Sequence, residues 1–416
     1  MNTTRAFDIP KHLVMEAYKA VKSNAGAGGI DEQSIEDFEK DLRGNLYKIW
    51  NRMSSGSYFP PPVRAVAIPK KTGGERILGI PTVADRVAQT IIRMMFEPEV
   101  ESIFLPDSYG YRPGKSALDA VGITRKRCWQ YDWVLEFDIK GMFDNIDHEL
   151  LMRAVCKHTK CKWAILYIER WLKAPMKMPD GTVVERHKGT PQGGVISPVL
   201  ANLFMHYAFD VWMKKNFPDL LWCRYADDGL VHCRTEQEAH AIKAALDARL
   251  EECKLKMHPE KTKVVYCKDG NRRGEYPNTK LDFLGYTFRP RLAKNSKRGD
   301  MFVSFTAAVA SKALKSMRQT IRKRNIRNRT DLELKEISRM FNPILRGWMQ
   351  YYGKFSPSAM NAMFNHFNST IRAWAMRKYK KLYRRRKLAT CVIENIAKKQ
   401  PRLFIHWERG MLGMTA

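Results

Sequence analysis

Two adjacent carboxylates, Asp227 and Asp228, stand between two short apolar runs, and no other feature restricts the fold of this 416-residue chain so tightly. Leu220-Leu221-Trp222-Cys223 leads in, Gly229 follows, and Leu230-Val231-His232-Cys233 leads out. The pattern predicts strand, Asp-Asp-Gly turn, strand, with both acids at the tip of a hairpin. Taken alone, such a pair is turn chemistry, because Asp tolerates left-handed backbone and bonds its own main chain. A third acid changes the reading. Asp138, 89 residues upstream, closes Val134-Leu135-Glu136-Phe137-Asp138, which reads as a mostly buried strand. A lone carboxylate is costly to desolvate, so it needs a partner: either a nearby Arg or Lys, or a metal. If this strand lies beside the hairpin, three acids converge and only cations relieve their repulsion. Two Mg²⁺ ions roughly 3.5–4 Å apart, with Mn²⁺ as a substitute, would suit the set.

Charge narrows the partner. The net charge of +30 calls for a polyanion, and nucleic acid is the expected one. From Ser311 to Ala416 the chain carries about 25 basic and 5 acidic residues, so its last quarter holds roughly two-thirds of the excess. Trp348, Tyr351, Tyr352, Phe355, Phe364, Phe367, Trp374, Tyr379 and Tyr383 are interleaved with those bases. About half should be core and the rest available to stack on bases. With 44% apolar content the chain can build two or three cored domains, and no run of 18 apolar residues suggests a membrane span. The N-terminus lacks a secretory signal, so an intracellular location is expected. The 8 cysteines are scattered singly. Only Cys156-Lys157-His158-Thr159-Lys160-Cys161 hints at a metal site, and without a fourth ligand it predicts neither zinc nor disulfides.

Along the chain, helices are expected to about residue 60, where Pro60-Pro61-Pro62 breaks the pattern. Val63–Ile68 alternates and Lys71-Thr72-Gly73-Gly74 supplies a turn, which predicts a hairpin carrying Lys70 and Arg76. Helices follow over about 84–103 and 116–128. Ser197 as N-cap and Pro198 at N1 predict a helix running to about Met213. Thr235 and Glu238 have capping-box spacing ahead of a helix to Cys253. Asn295–Asp300 is the best internal boundary, and the pattern is helical and basic from Ser311 onward.

Nine segments in order resemble reverse transcriptases of the group II intron type. They are Ala25–Asp31, Ile68-Pro69-Lys70 through Arg76, Leu78–Thr82, Ser108–Gly114, Phe137–Phe143, Gly189–Gly194, Tyr225-Ala226-Asp227-Asp228, His258–Lys263 and Phe283-Leu284-Gly285-Tyr286. Gly347–Tyr352 resembles the maturase region of intron-encoded proteins. The resemblance implies an α+β right-hand polymerase: fingers over 1–125, a palm with an antiparallel sheet over 126–296, and a helical thumb or maturase domain over 297–380. A basic extension over 381–416, with DNA as a candidate ligand, would follow. It implies catalytic Asp138, Asp227 and Asp228, which with the Ile139 backbone carbonyl bind the metals, and template-directed DNA synthesis on RNA from dNTPs and a DNA primer.

Other roles are implied residue by residue. Lys70 and Arg76 would close on the triphosphate, a task suited to cations on a mobile hairpin. Gln192 would hydrogen-bond nucleotide or template, and Gly193 and Gly194 would allow close backbone approach. Phe143 would sit under the sugar and exclude a ribose 2′-hydroxyl, the alternative being a core Phe. Asp144 and Asp147 read as capping or ion-pairing groups. Tyr225, Leu284, Gly285 and Tyr286 would contact the primer end, and Arg112 either the template backbone or its own fold. Arg384, Arg385, Arg386 and Lys387 would grip RNA, intron RNA first. The location implied is a bacterial cytoplasm, near the nucleoid when on DNA. An endonuclease segment is not expected, so target entry would use an existing 3′ end. Rival readings are an intron-free relative used in DNA repair or phage defence, and a splicing factor without catalysis. A viral-type RNA polymerase fits less well, given Ala226 before the acids and Phe143. Oligomeric state and template preference are not legible.

Overall fold

The computed structural model describes residues 7–69, 74–294 and 299–413. Helices α1 (Lys11–Asn24), α2 (Ile35–Lys40) and α3 (Leu42–Ser55) precede the proline break. The stretch 35–42 is interrupted because Asp41 accepts from Gly44 N at 3.1 Å and starts a new helix. Strands β1 (Val63–Pro69) and β2 (Glu75–Ile80) form the expected hairpin, with Ile68 opposite Arg76. Lys70 and the turn residues 71–73 lie outside the described residues. Then come α4 (Val83–Glu101), α5 (Ala117–Cys128), β3 (Trp133–Asp138), α6 (Met142–Asn145), α7 (His148–His158) and α8 (Lys162–Lys173). Two short strands, β4 (Met176–Lys177) and β5 (Val183–Val184), lead to α9 (Ser197–Met205), a π-helical turn His206–Asp210, and α10 (Val211–Asn216). β6 (Leu221–Tyr225), β7 (Asp228–Cys233) and α11 (Glu236–Glu252) follow. The C-terminal part contains β8 (Lys263–Tyr266), β9 (Leu281–Phe283), β10 (Tyr286–Lys294) and β11 (Met301–Val309). It ends with α12 (Ser311–Lys323), α13 (Leu334–Tyr352), α14 (Asn361–Lys378), α15 (Arg386–Lys399) and α16 (Ile405–Glu408).

Helix α9 begins one residue earlier than expected, with Ile196 as N-cap and Pro198 at the second position. Ser197 does not cap it. The amides of Val195 and Ile196 instead donate to Gln89 Oε1 at 2.7 and 3.3 Å, so a side chain of α4 organises the helix start.

Packing divides the chain into two units. The first takes in the chain up to Ser116, then Leu135–Cys233 and Gln237–Lys263. The second takes in Ala117–Val134, Arg234–Glu236 and the chain from Val264. In the first, one sheet runs β2-β1-β4-β5, and β7 lies between β6 and β3 in another. The fully buried Val87, Ala88, Ile91 and Ile92 give α4 its inward face. In the second, the antiparallel sheet β9-β10-β11 accompanies a helical core built on Phe341, Phe364, Phe367, Trp374 and Phe404.

This division departs from boundaries at 125 and 296. Arg125 Nε donates to Thr306 Oγ1 at 2.9 Å and Trp129 Nε1 to Phe305 O at 3.0 Å, so α5 belongs with the second unit. β10 pairs along its whole length with β11, so the expected boundary at 296, itself outside the described residues, falls between two paired strands. Of the interleaved aromatics, Phe364, Phe367 and Trp374 are core, whereas Tyr379 and Tyr383 are exposed.

Candidate active site

The acidic hairpin is present, but its turn is shifted from the expected Asp-Asp-Gly. Tyr225 pairs with Asp228 and Arg224 with Gly229, which makes Ala226 and Asp227 the turn residues and puts Asp228 on β7. Ala226 takes the left-handed conformation, φ 57°, that a two-residue turn demands. Gly229 serves packing instead: a Cβ there would stand 2.1 Å from Cζ of Phe137, so its absence lets β7 lie against β3. Ile139 N donates to the Asp227 carbonyl at 3.2 Å, fastening the end of β3 to the turn. The three acids are thereby gathered in the first unit. Burial, then the neighbouring Asp227 and Asp138 carboxylates, push Asp228 up to about 7, and burial also raises Asp227.

Oxygen donors of this kind suit a hard divalent cation. As placed, no three acid, His or Cys side chains among the described residues converge closely enough to chelate one ion. The Asp138 carboxylate is instead ion-paired with Lys261, whose ammonium stands where a counter-cation belongs. Metal binding by these carboxylates would require Lys261 to release Asp138. Of the two expected alternatives for Asp138, the basic partner is the one seen here.

Beneath the turn lies a buried ionic network that the sequence reading missed. Arg224, fully buried, donates through Nε and Nη2 to the equally buried Asp210 at 2.7 Å each. Nη1 reaches the Ala226 carbonyl at 3.1 Å and Asn202 Oδ1 at 3.2 Å, and Nη2 reaches Ser108 Oγ at 2.8 Å. One guanidinium thus ties the turn, the π-helical segment and the loop after α4 together. That loop closes tightly on the turn, since a Cβ on Gly110 would meet Ala226 N at 2.5 Å. A charged residue within each apolar run, Arg224 and Asp210, was the available signal.

A cleft of about 930 Å³ is lined by Asp138, Ile139, Asp227, Arg76, Phe143 and Gln192, so six sequence-predicted residues share one wall system. Lys140, Arg186, Lys188, His258 and Lys261 also line it and were not singled out. Arg76 Nε donates to Gln192 Oε1, and Gln192 Nε2 donates to the Asp144 carboxylate at 3.1 Å. Phe143 is 7% exposed and packs edge-on against Tyr111. Asp147 caps α7 through Leu150 N at 2.9 Å and pairs with Lys254 at 2.7 Å.

Two residues expected near nucleic acid are engaged within the fold. The Arg112 side chain is only 6% exposed and its fork is occupied: Glu101 pairs with it at 2.7 Å, and Nη1 donates to the carbonyls of Leu105 and Ser108. It holds the loop after α4, the second of the two roles expected for it. Tyr286 is 0% exposed within the second unit, ringed by Tyr351, Tyr352 and Phe355, so it is a core residue. Leu284 and Gly285 form the turn before it, and the Leu284 carbonyl accepts from Tyr351 Oη at 2.8 Å. Tyr225 is part-buried, 6.4 Å from the Tyr111 ring. Arg384, Arg385, Arg386 and Lys387 are all exposed at the start of α15.

An acidic hairpin beside a third acid, on a cleft lined by charges of both signs, is the arrangement of a right-hand polymerase followed by a helical domain. Sequence comparison makes this specific. Residues 68–288 match the reverse transcriptase (RNA-dependent DNA polymerase) family, and residues 314–392 match the group II intron, maturase-specific domain. The chain is 30% identical over 336 residues to Protein YkfC of Escherichia coli (strain K12), covering 70% of this chain and 83% of that one. It is 32% identical over 236 residues to the group II intron-encoded protein LtrA of Lactococcus lactis subsp. cremoris, covering 55% of this chain but 38% of LtrA. Nuclear intron maturase 1, mitochondrial, of Arabidopsis thaliana matches over 107 residues at 31%, which is 26% of this chain and 15% of that protein. The chain belongs to the group II intron reverse transcriptase and maturase family and is an RNA-directed DNA polymerase. Polymerases of this family work with divalent metal ions. No helix among the described residues is long and apolar enough to cross a membrane.

Proposed function

We propose that the first unit extends a DNA primer on an RNA template, with Asp138, Asp227, Asp228 and the Ile139 carbonyl holding two Mg²⁺ ions. The observation that carries this reading is the gathering of the three acids at the β3 end and the β6–β7 turn. When bound, the cations would lower the pKa of the primer 3′-hydroxyl and neutralise the departing pyrophosphate. Lys261 holds Asp138 until they arrive. Arg76 and Lys70 bind the triphosphate, and Gln192 positions the nucleotide while Asp144 orients its amide. Phe143, on the cleft wall, excludes a ribose 2′-hydroxyl. The second unit binds intron RNA through its basic surface, Arg384–Lys387 included, and assists splicing; copying the intron then serves its return to DNA.

Primer extension on an RNA template with dNTPs against rNTPs tests this. Wild type should extend with dNTPs and stop when divalent cations are chelated. Phe143→Ala should raise ribonucleotide incorporation relative to deoxynucleotide about tenfold or more, since space beneath C2′ opens. An unchanged ratio in single-nucleotide extension removes the gate.

A further inference from the structure

We propose that the cleft between α12 and α14 in the second unit is a seat for one phosphodiester of a bound RNA strand, separate from Arg384–Lys387. It rests on the reading of the second unit as an RNA binder. The cavity, about 300 Å³, is walled by Arg322 from α12, Arg327 from the turn after it, and Arg377 from α14. Asn325, Asn328 and Thr370 add neutral polar groups, and the buried Ile321 and Ile326 form the floor. No acid lines it.

Three features make this a built site. Asn325 takes the left-handed conformation, φ 48°, which turns the chain back over α14, and Asn328 Nδ2 braces it by donating to Asn325 Oδ1 at 2.8 Å. Trp374 Nε1, on the same helix as Arg377, donates to the Arg329 carbonyl at 3.0 Å and fixes the turn against α14. None of the three guanidinium groups pairs with a carboxylate among the described residues, although neighbouring Arg329 does pair, with Asp331 at 2.8 Å. One turn before Thr370, the buried His366 Nε2 has no hydrogen-bond partner, and burial followed by Arg318, Arg322 and Arg327 lowers its pKa. Like charges held together without a counter-charge are relieved by an anion, and arginine forks match phosphate oxygens bidentately. A seat of this volume takes a single phosphate with its sugar. The polyanion demanded by the excess charge of the last quarter of the chain makes an RNA strand the source.

The test is binding of a labelled RNA hairpin with single-stranded flanks to the full chain over a salt series, with phosphate-ethylation interference on the same RNA. The triple variant Arg322→Gln, Arg327→Gln, Arg377→Gln should weaken binding about tenfold and lower the log-log salt slope by about 1, not 3, because all three groups converge on one phosphate. Interference at one phosphate, or two adjacent ones, should vanish. Lys312→Gln, which removes an exposed charge from the same helix outside the cleft, should change neither. Should the triple variant fold poorly, Arg327→Lys with Arg377→Lys keeps the charge but not the fork, and the same interference positions should weaken at unchanged slope. Triple-variant binding indistinguishable from Lys312→Gln, beside normal wild-type binding, overturns the seat alone. Wild-type failure to bind the RNA overturns the RNA-binding reading and the seat with it. If inorganic phosphate stabilises wild type but not the triple variant while RNA binding and interference are unaltered, the cleft takes a small anion and the proposal falls.

Discussion

Arg224 in the first unit and the cleft arginines of the second are used in opposite ways. Under the acidic turn, Arg224 is fully buried and every arm of its fork is committed to Asp210, Asn202, Ser108 or the Ala226 carbonyl. In the second unit, Arg322, Arg327, Arg377, Arg384 and Arg385 are exposed. A desolvated charge survives only when paired and hydrogen-bonded, so buried arginines report the fold. Exposed arginines gathered without acids report a ligand. Family resemblance does not separate these uses: Arg112 lies in a matching segment yet is committed to Glu101.

The largest expected effect lies in the first unit. Asp227→Ala or Asp138→Ala should reduce dNTP incorporation about a thousandfold or more, because each removes a metal ligand from the transition state. RNA affinity should stay near wild type in filter binding. Activity within tenfold of wild type would remove the metal assignment.

Next comes the network beneath the turn. Arg224→Ala leaves Asp210 buried and unpaired, which should cost about 3–5 kcal/mol. Urea unfolding followed through the adjacent Trp222 measures it. A loss under about 1 kcal/mol would mean that the pair does not organise the turn, and the contrast between the units would collapse.

In the second unit, Arg384, Arg385, Arg386 and Lys387 together replaced by Ala should weaken RNA binding and lower the log-log salt slope by about 1 per phosphate contact. Extension of a short preannealed duplex should change little. An unchanged slope would make these four a solvated face. If extension falls as far as binding, they belong to the polymerase track.

The smallest effect concerns the buried His406. It stacks on Phe364, its Nε2 lies 2.7 Å from Asn368 Oδ1, and burial lowers its pKa from 6.5 to about 3. Between those values the unfolded chain binds the extra proton. The contribution of this residue is therefore intact above pH 6.5 and is lost as pH falls, by at most about 1.4 kcal/mol per pH unit. His406→Gln should flatten the pH dependence of the second unit's urea midpoint between pH 7 and 5. An equal slope in both proteins would assign the acid sensitivity to other groups.

The nearby acids Asp227 and Asp228, the helix-breaking prolines and the order of the motifs are local or serial properties of the chain. They therefore located the acidic hairpin, the β1–β2 hairpin and most helices without reference to packing. Asp138 stood out for the same reason, as a charge in an apolar strand, whereas its pairing with Lys261 did not. Turn register was not: it hangs on Gly229 fitting under Phe137 and Gly110 under Ala226, contacts made across the fold. Arg125 meets Thr306 181 residues away, Lys261 meets Asp138 at 123, and Arg224 meets Ser108 at 116. Whether a basic residue is a strut or a ligand contact depends on which carboxylate arrives beside it, and only tertiary packing brings that carboxylate.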